Sequence, residues 1–158
     1  MLAVDYGRRR LGLAVSDEAR KLATPLETLE RINRRQDLSR LRRIVRDLGV
    51  NQLVVGLPLR LDGSAGEMAE EARAFATRLE KSLRLPAALV DERLTSWEAQ
   101  EEHRARGGNR PSIRPRRSTG AASKAHRSPD GVDRLAAALI LEDYLRRLEE
   151  SPVGMATP

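Results

Sequence analysis

The sequence predicts an α/β domain whose mixed central sheet starts with an antiparallel β-hairpin and is flanked by helices. Three observations carry this prediction. Two short apolar stretches at the N-terminus are separated by a tight turn, so they pair as antiparallel neighbours. Two later runs, Gln52-Leu-Val-Val-Gly56 and Pro86-Ala-Ala-Leu-Val90, have the length and composition of strands buried on both faces. Stretches between and after them repeat their apolar residues at helical spacing, and such an order layers helices on a sheet.

In chain order, residues 1–5 read as a strand, Gly7-Arg-Arg-Arg10 as a turn and residues 11–16 as an alternating second strand. Residues 37–48 place Leu38, Leu41, Ile44, Val45 and Leu48 on one helical face, with Gly49 as the cap. After the strand at residues 52–56, residues 57–64 form a loop. A helix over 67–83 then turns Met68, Ala72, Phe75, Ala76, Leu79 and Leu83 inward. The strand at 86–90 ends at Asp91-Glu92, and Thr95 or Ser96 caps a helix from Trp97. Residues 107–131, rich in Gly, Pro, Ser and Arg, read as a long basic flexible loop. Residues 132–148 resume a helix through Leu135, Ala136, Leu139, Ile140, Leu145 and Leu148. Residues 1–150 thus make one domain, and 151–158 a disordered tail.

Composition narrows the function. Aromatics are only 3% of the 158 residues against 40% apolar overall, so the core is aliphatic. No apolar run approaches the ~20 residues of a membrane span. The N-terminus reads as a strand rather than a signal peptide. Without cysteine, disulfides and thiolate-bound zinc are excluded, which fits the cytoplasm. The net charge is +6, yet the eight basic residues between Glu102 and Asp130 stand without one acid, and the remainder carries −2. Either this segment is a solvated loop or it meets a polyanion such as nucleic acid.

Three acidic positions sit where one element meets the next. Asp5 closes the first strand, Asp91-Glu92 follow the strand at 86–90, and Asp133 opens the last helix, sharing a stripe with Ala136, Ala137 and Ile140. Ligands of an open α/β sheet gather at the carboxyl ends of its strands. Converging carboxylates repel unless a cation lies between them, and oxygen-only donors suit Mg²⁺ or Mn²⁺. Two such ions, about 3.5–4 Å apart, can drive phosphodiester hydrolysis. Taken singly, each acid also has an ordinary reading: a turn residue, a surface pair, a first-turn acid favoured by the helix dipole.

The wording around the acids resembles the YqgF family, also called RuvX. Four segments carry the resemblance in order: Asp5-Tyr-Gly-Arg-Arg-Arg-Leu-Gly-Leu-Ala-Val-Ser-Asp17, Val54-Val-Gly-Leu-Pro-Leu59 with Asp62-Gly-Ser64, Val90-Asp-Glu-Arg-Leu-Thr95, and the helix from Val132-Asp-Arg-Leu to Leu145. The resemblance spans roughly residues 2–148. It implies an RNase H-like fold and a bacterial cytoplasmic nuclease that matures the 5′ end of pre-16S ribosomal RNA, or alternatively a resolvase of Holliday junctions. It places metal-binding, catalytic carboxylates at Asp5, Glu92 (Asp91 as the alternative) and Asp133, with two Mg²⁺ or Mn²⁺ ions. Its departure is the segment 107–131, longer than the family's basic linker, with arginine largely in place of lysine.

Supporting residues keep two readings each. Gly7 takes positive φ beside Asp5 or is simply a hairpin glycine. Arg10 holds a phosphate or a neighbouring carboxylate, and Arg93 a phosphate or a structural salt bridge. Gly56 lines the cleft or only shapes a loop. Thr95 is a cap, Trp97 a packing anchor, and neither His103 nor His126 has a partner at metal-ligand spacing. Arg110, Arg114, Arg116, Arg117 and Lys124 form an electrostatic clamp for structured RNA or branched DNA, sequence-independent because few aromatics lie nearby. Such a protein acts as a monomer or, if it cuts two strands symmetrically, a homodimer. A non-catalytic nucleic-acid-binding module is the alternative from another class.

Overall fold

The computed structural model describes residues 1–93 and 129–150. Its elements are β1 (Leu2–Tyr6), β2 (Arg10–Ser16), β3 (Ala23–Glu30), α1 (Arg34–Asp47), β4 (Leu53–Leu57), α2 (Glu67–Leu83), β5 (Ala87–Asp91) and α3 (Pro129–Glu150). The sheet runs β3-β2-β1-β4-β5. Its β1–β2 and β2–β3 pairs are antiparallel, and its β1–β4 and β4–β5 pairs parallel. The hairpin therefore supplies the antiparallel half and the helical crossovers the parallel half.

Strand alternation sorts the two faces. Leu2, Val4, Tyr6, Leu11, Leu13, Leu53 and Val55 bury one face with residues of α1 and α2, among them Leu41, Phe75 and Leu79. Ala3, Ala14, Val54 and Val90 line the other, against Ala137, Ile140, Leu141 and Leu145 of α3. The second face is built from small residues, so α3 lies close. At Gly12, paired with Asp5 in the register, a Cβ would overlap the Asp133 carbonyl oxygen. No helix among the described residues is long and apolar enough to cross a membrane.

The structure amends several expectations. Strand β3 was not expected: its Ala-Thr-Pro-Leu-Glu-Thr-Leu-Glu sequence buries only Leu29, and Pro25 is tolerated because β3 is an edge. Helix α1 starts at Arg34, capped by the Asn33 side chain, which accepts from Gln36 N; Leu48 is 49% exposed rather than inward. Gly49, at φ +60°, does follow the helix end. Strand β5 is the opposite edge, and only Val90 of it is buried. On α3 the inward set is Ala137, Ala138, Ile140, Leu141 and Leu145, whereas Leu135, Leu139 and Leu148 face outward. That helix is apolar around most of its circumference, so spacing alone could not tell which side meets the sheet. Gly7 does not adopt positive φ. It is needed for closeness instead, since a Cβ there would lie 2.6 Å from the Arg10 carbonyl oxygen.

Candidate carboxylate site

Three elements bring Asp5, Glu92 and Asp133 to one end of the sheet on the α3 side. Asp5 is the fourth residue of β1, and its parity with Ala3 turns it toward α3. Asp133 lies in the first turns of α3, where that helix rests on Gly12. Glu92 follows β5 directly and folds back over β4. A Cβ on Gly56 would overlap its Oε1 and come within 2.7 Å of Ile140 Cδ1. Gly56 therefore makes room for the carboxylate rather than merely shaping a loop.

The electrostatics record how closely these acids crowd. Burial, then the charge of Asp133, pushes the Asp5 carboxyl up to about 6. Burial again leads at Glu92, with Asp5 and then Asp91 adding to it, and carries that group to about 7. Asp133 Oδ2 is buried and accepts no hydrogen bond. It lies 2.9 Å from Arg10 Nε, an ion pair by distance that lacks hydrogen-bond alignment. Of the two partners expected for Arg10, the neighbouring carboxylate is thus present at Asp133.

Asp91 is engaged elsewhere. It accepts from Arg93 Nη2 at 2.6 Å and from Nε at 3.0 Å, and this pairing holds its carboxyl below the usual range. Arg93 also donates to the Leu61 carbonyl at 3.3 Å, tying the strand end to the loop after β4. The structural salt bridge expected of Arg93 is present, to Asp91.

Sequence reasoning missed two contributors. Gly12 sits inside an apolar strand, a position that signals close approach by another backbone. Arg31 donates to the Gly7 carbonyl at 3.0 Å and to Asp37 Oδ2 at 3.2 Å, and its guanidinium lies 5.0 Å from the Tyr6 ring centroid. It braces the β1–β2 turn beside Asp5. Thr95, Trp97, His103, Arg110, Arg114, Arg116, Arg117, Lys124 and His126 lie outside the described residues.

The donor set is hard oxygen, two of its members resist ionisation, and one buried oxygen lacks a hydrogen bond. Each feature fits a divalent cation of the Mg²⁺ type. Among the described residues, however, no three His, Cys, Asp or Glu side chains converge as a preformed cage. The Asp5–Asp133 and Asp5–Glu92 couplings are pairwise, with Arg10 beside Asp133.

Comparison with known proteins agrees with this architecture. The fold matches the RuvC of Thermus thermophilus, solved "in complex with Holliday junction substrate", at a TM-score of 0.54 and 16% identity over 95% of both chains. The sheet and helices are thus those of the RNase H-like fold. A relative from Anaeromyxobacter sp. (strain K), named "Putative pre-16S rRNA nuclease", is 43% identical over 92% of this chain and 96% of its own length. One of the same name from Koribacter versatilis (strain Ellin345) is 43% identical over 93% of this chain and 86% of its own. The family model described as "RuvX: Holliday junction resolvase" matches residues 1–147, and the chain belongs to that family.

Proposed function

We propose that this protein is a metal-dependent nuclease that hydrolyses phosphodiester bonds in the 5′-end maturation of pre-16S ribosomal RNA, in the cytoplasm. The observation that carries the reading is the pairwise approach of Asp5, on β1, to Asp133 of α3 and to Glu92 after β5, with Asp5 and Glu92 held above their ordinary carboxyl range by burial and by these neighbouring charges. The names of relatives more than 40% identical over nearly the whole chain support the substrate.

In this reading Asp5 and Glu92 hold Mg²⁺ or Mn²⁺ with Asp133 completing the set. A divalent ion bound there supplies charge stabilisation at the scissile phosphate. The residues supply position: Gly12 and Gly56 let α3 and the Glu92 side chain approach β1 and β4. Arg10 Nε, 2.9 Å from Asp133 Oδ2, holds that carboxylate in place, and its guanidinium is a phosphate donor at the same edge. Arg110, Arg114, Arg116, Arg117 and Lys124 add sequence-independent attraction for the backbone.

The test is Mn²⁺-dependent cleavage of a 16S precursor RNA beside a matched four-way DNA junction, with wild type, Asp5→Asn and Asp133→Asn. Each variant is expected to lose about 100-fold or more. Undiminished cleavage by Asp5→Asn overturns the mechanism. The family description and the junction-bound RuvC favour one second reading, resolution of branched DNA. Preference for the junction, together with a dimer in solution, decides for it.

A further inference from the structure

The arginines of this chain are not confined to the basic segment after Glu102. Residues 31–46 hold seven arginines and one acid, Asp37. That acid is buried and already bonded to Arg31. The stretch enters α1, on the sheet face opposite the carboxylates. Where α1 begins, a cavity of about 220 Å³ opens between Tyr6, Arg31, Arg34, Asp37, Phe75 and Arg78. Arg31 is committed to Asp37, the Gly7 carbonyl and the two rings. Among the described residues, neither Arg34, which is exposed, nor Arg78, which is half-buried, makes an ion pair or hydrogen bond. A guanidinium withdrawn from water without a partner is costly, and two facing one cavity repel. Both terms are relieved by one anion with several acceptor oxygens. The rings of Tyr6 and Phe75 are 8% and 4% exposed, so they offer no stacking face for a base.

We propose that this cavity is a second phosphate-binding site, where Arg34 and Arg78 clamp the backbone of the polynucleotide on the far side of the sheet from the carboxylates. The inference rests on the nucleic-acid reading above and deepens it. Tyr6 follows Asp5 in β1, and successive residues point to opposite faces. The two sites therefore sit back to back at one strand end, and a chain rounding the β1–β2 turn reaches both. Such a clamp reads backbone charge and not sequence.

The test compares full-length Asp5→Asn with the same protein carrying Arg34→Gln and Arg78→Gln, so that bound RNA stays uncut. Binding of a 16S precursor hairpin and of a four-way DNA junction is titrated by fluorescence anisotropy across NaCl concentrations. Loss of two phosphate contacts flattens the slope of log affinity against log salt by about 1.4–1.8. Arg34→Lys with Arg78→Lys restores most of it, because lysine keeps the charge. Should the glutamine pair fail to fold, Arg34→Gln alone, on the exposed first turn, flattens the slope by about 0.7. An unchanged slope in a folded variant overturns the clamp and leaves the nuclease reading intact. If the parent binds neither RNA nor DNA, both fall together.

Discussion

Successive residues leaving a strand diverge, and the end of β5 turns that rule into a division of labour. Asp91 is drawn aside by Arg93 at 2.6 Å, while Glu92 lies over Gly56 within reach of the Asp5 charge. Glu92→Gln is therefore expected to cost cleavage about 100-fold, as removal of a group acting on the reacting charge does. Asp91→Asn costs less activity and shows mainly as lost stability above pH 4, where its lowered carboxyl is charged. If Asp91→Asn abolishes cleavage and Glu92→Gln spares it, the assignment is reversed. Gly56→Ala separates position from chemistry: every carboxylate remains, but the added methyl displaces Glu92. Rate is expected to fall far more than the melting temperature. The sequence left Asp91 and Glu92 interchangeable because adjacent positions differ only in the phase of the pleat. That phase is fixed by pairing with β4, not by composition.

At the scale of elements, the site depends on how closely α3 lies on the sheet. Gly12 lets the helix come close, since a Cβ there would meet the Asp133 carbonyl oxygen and carbon and Arg134 N. These are backbone atoms, so relief requires α3 to move. Gly12→Ala is expected to destabilise by about 1–3 kcal/mol, the usual cost of overpacking, and to carry Asp133 out of reach of Asp5. Unfolding in urea with a parallel cleavage assay reads both; an unperturbed pair of values would show that α3 is not held here. The elements that position the acids were largely legible: β1, β2, β4 and α2 follow from short apolar stretches, alternation or helical spacing, and α2 spans the expected residues 67–83. Two features were hidden for physical reasons. Strand β3 has a proline and buries only Leu29, tolerable only at an edge that a later fold creates. Helix α3 is apolar on several sides, so the face it buries is decided by the small residues of β1, β2 and β4 opposite it.

Across the whole molecule, the crowded acids couple stability to pH and to cations. Asp5 moves from 3.8 to about 6 and Glu92 from 4.5 to about 7. Between about pH 4 and pH 7 the native state thus binds more protons than the unfolded chain, and these two groups lower stability as pH rises. Asp17, Asp62, Glu71 and Asp91, whose carboxyls are lowered, work in the opposite sense, stabilising above about pH 4 and losing that contribution in acid. At 1.36 kcal/mol per pKa unit, the two raised groups together withhold on the order of a few kcal/mol at pH 8. Cation-free protein is therefore expected to melt lower at pH 8 than at pH 5.5, and Asp5→Asn to recover part of the difference. Mg²⁺ or Mn²⁺ at about 100 times its dissociation constant adds about 2.7 kcal/mol to the ionised site. The gain appears as a melting temperature several degrees higher at pH 8 and a smaller rise at pH 5.5, where protons compete for the same oxygens. Calorimetry of wild type and Asp5→Asn with and without each ion reads this directly. A wild-type melting temperature indifferent to both ions at pH 8 would mean that no divalent cation relieves the repulsion among these acids, and the carboxylates would then be structural.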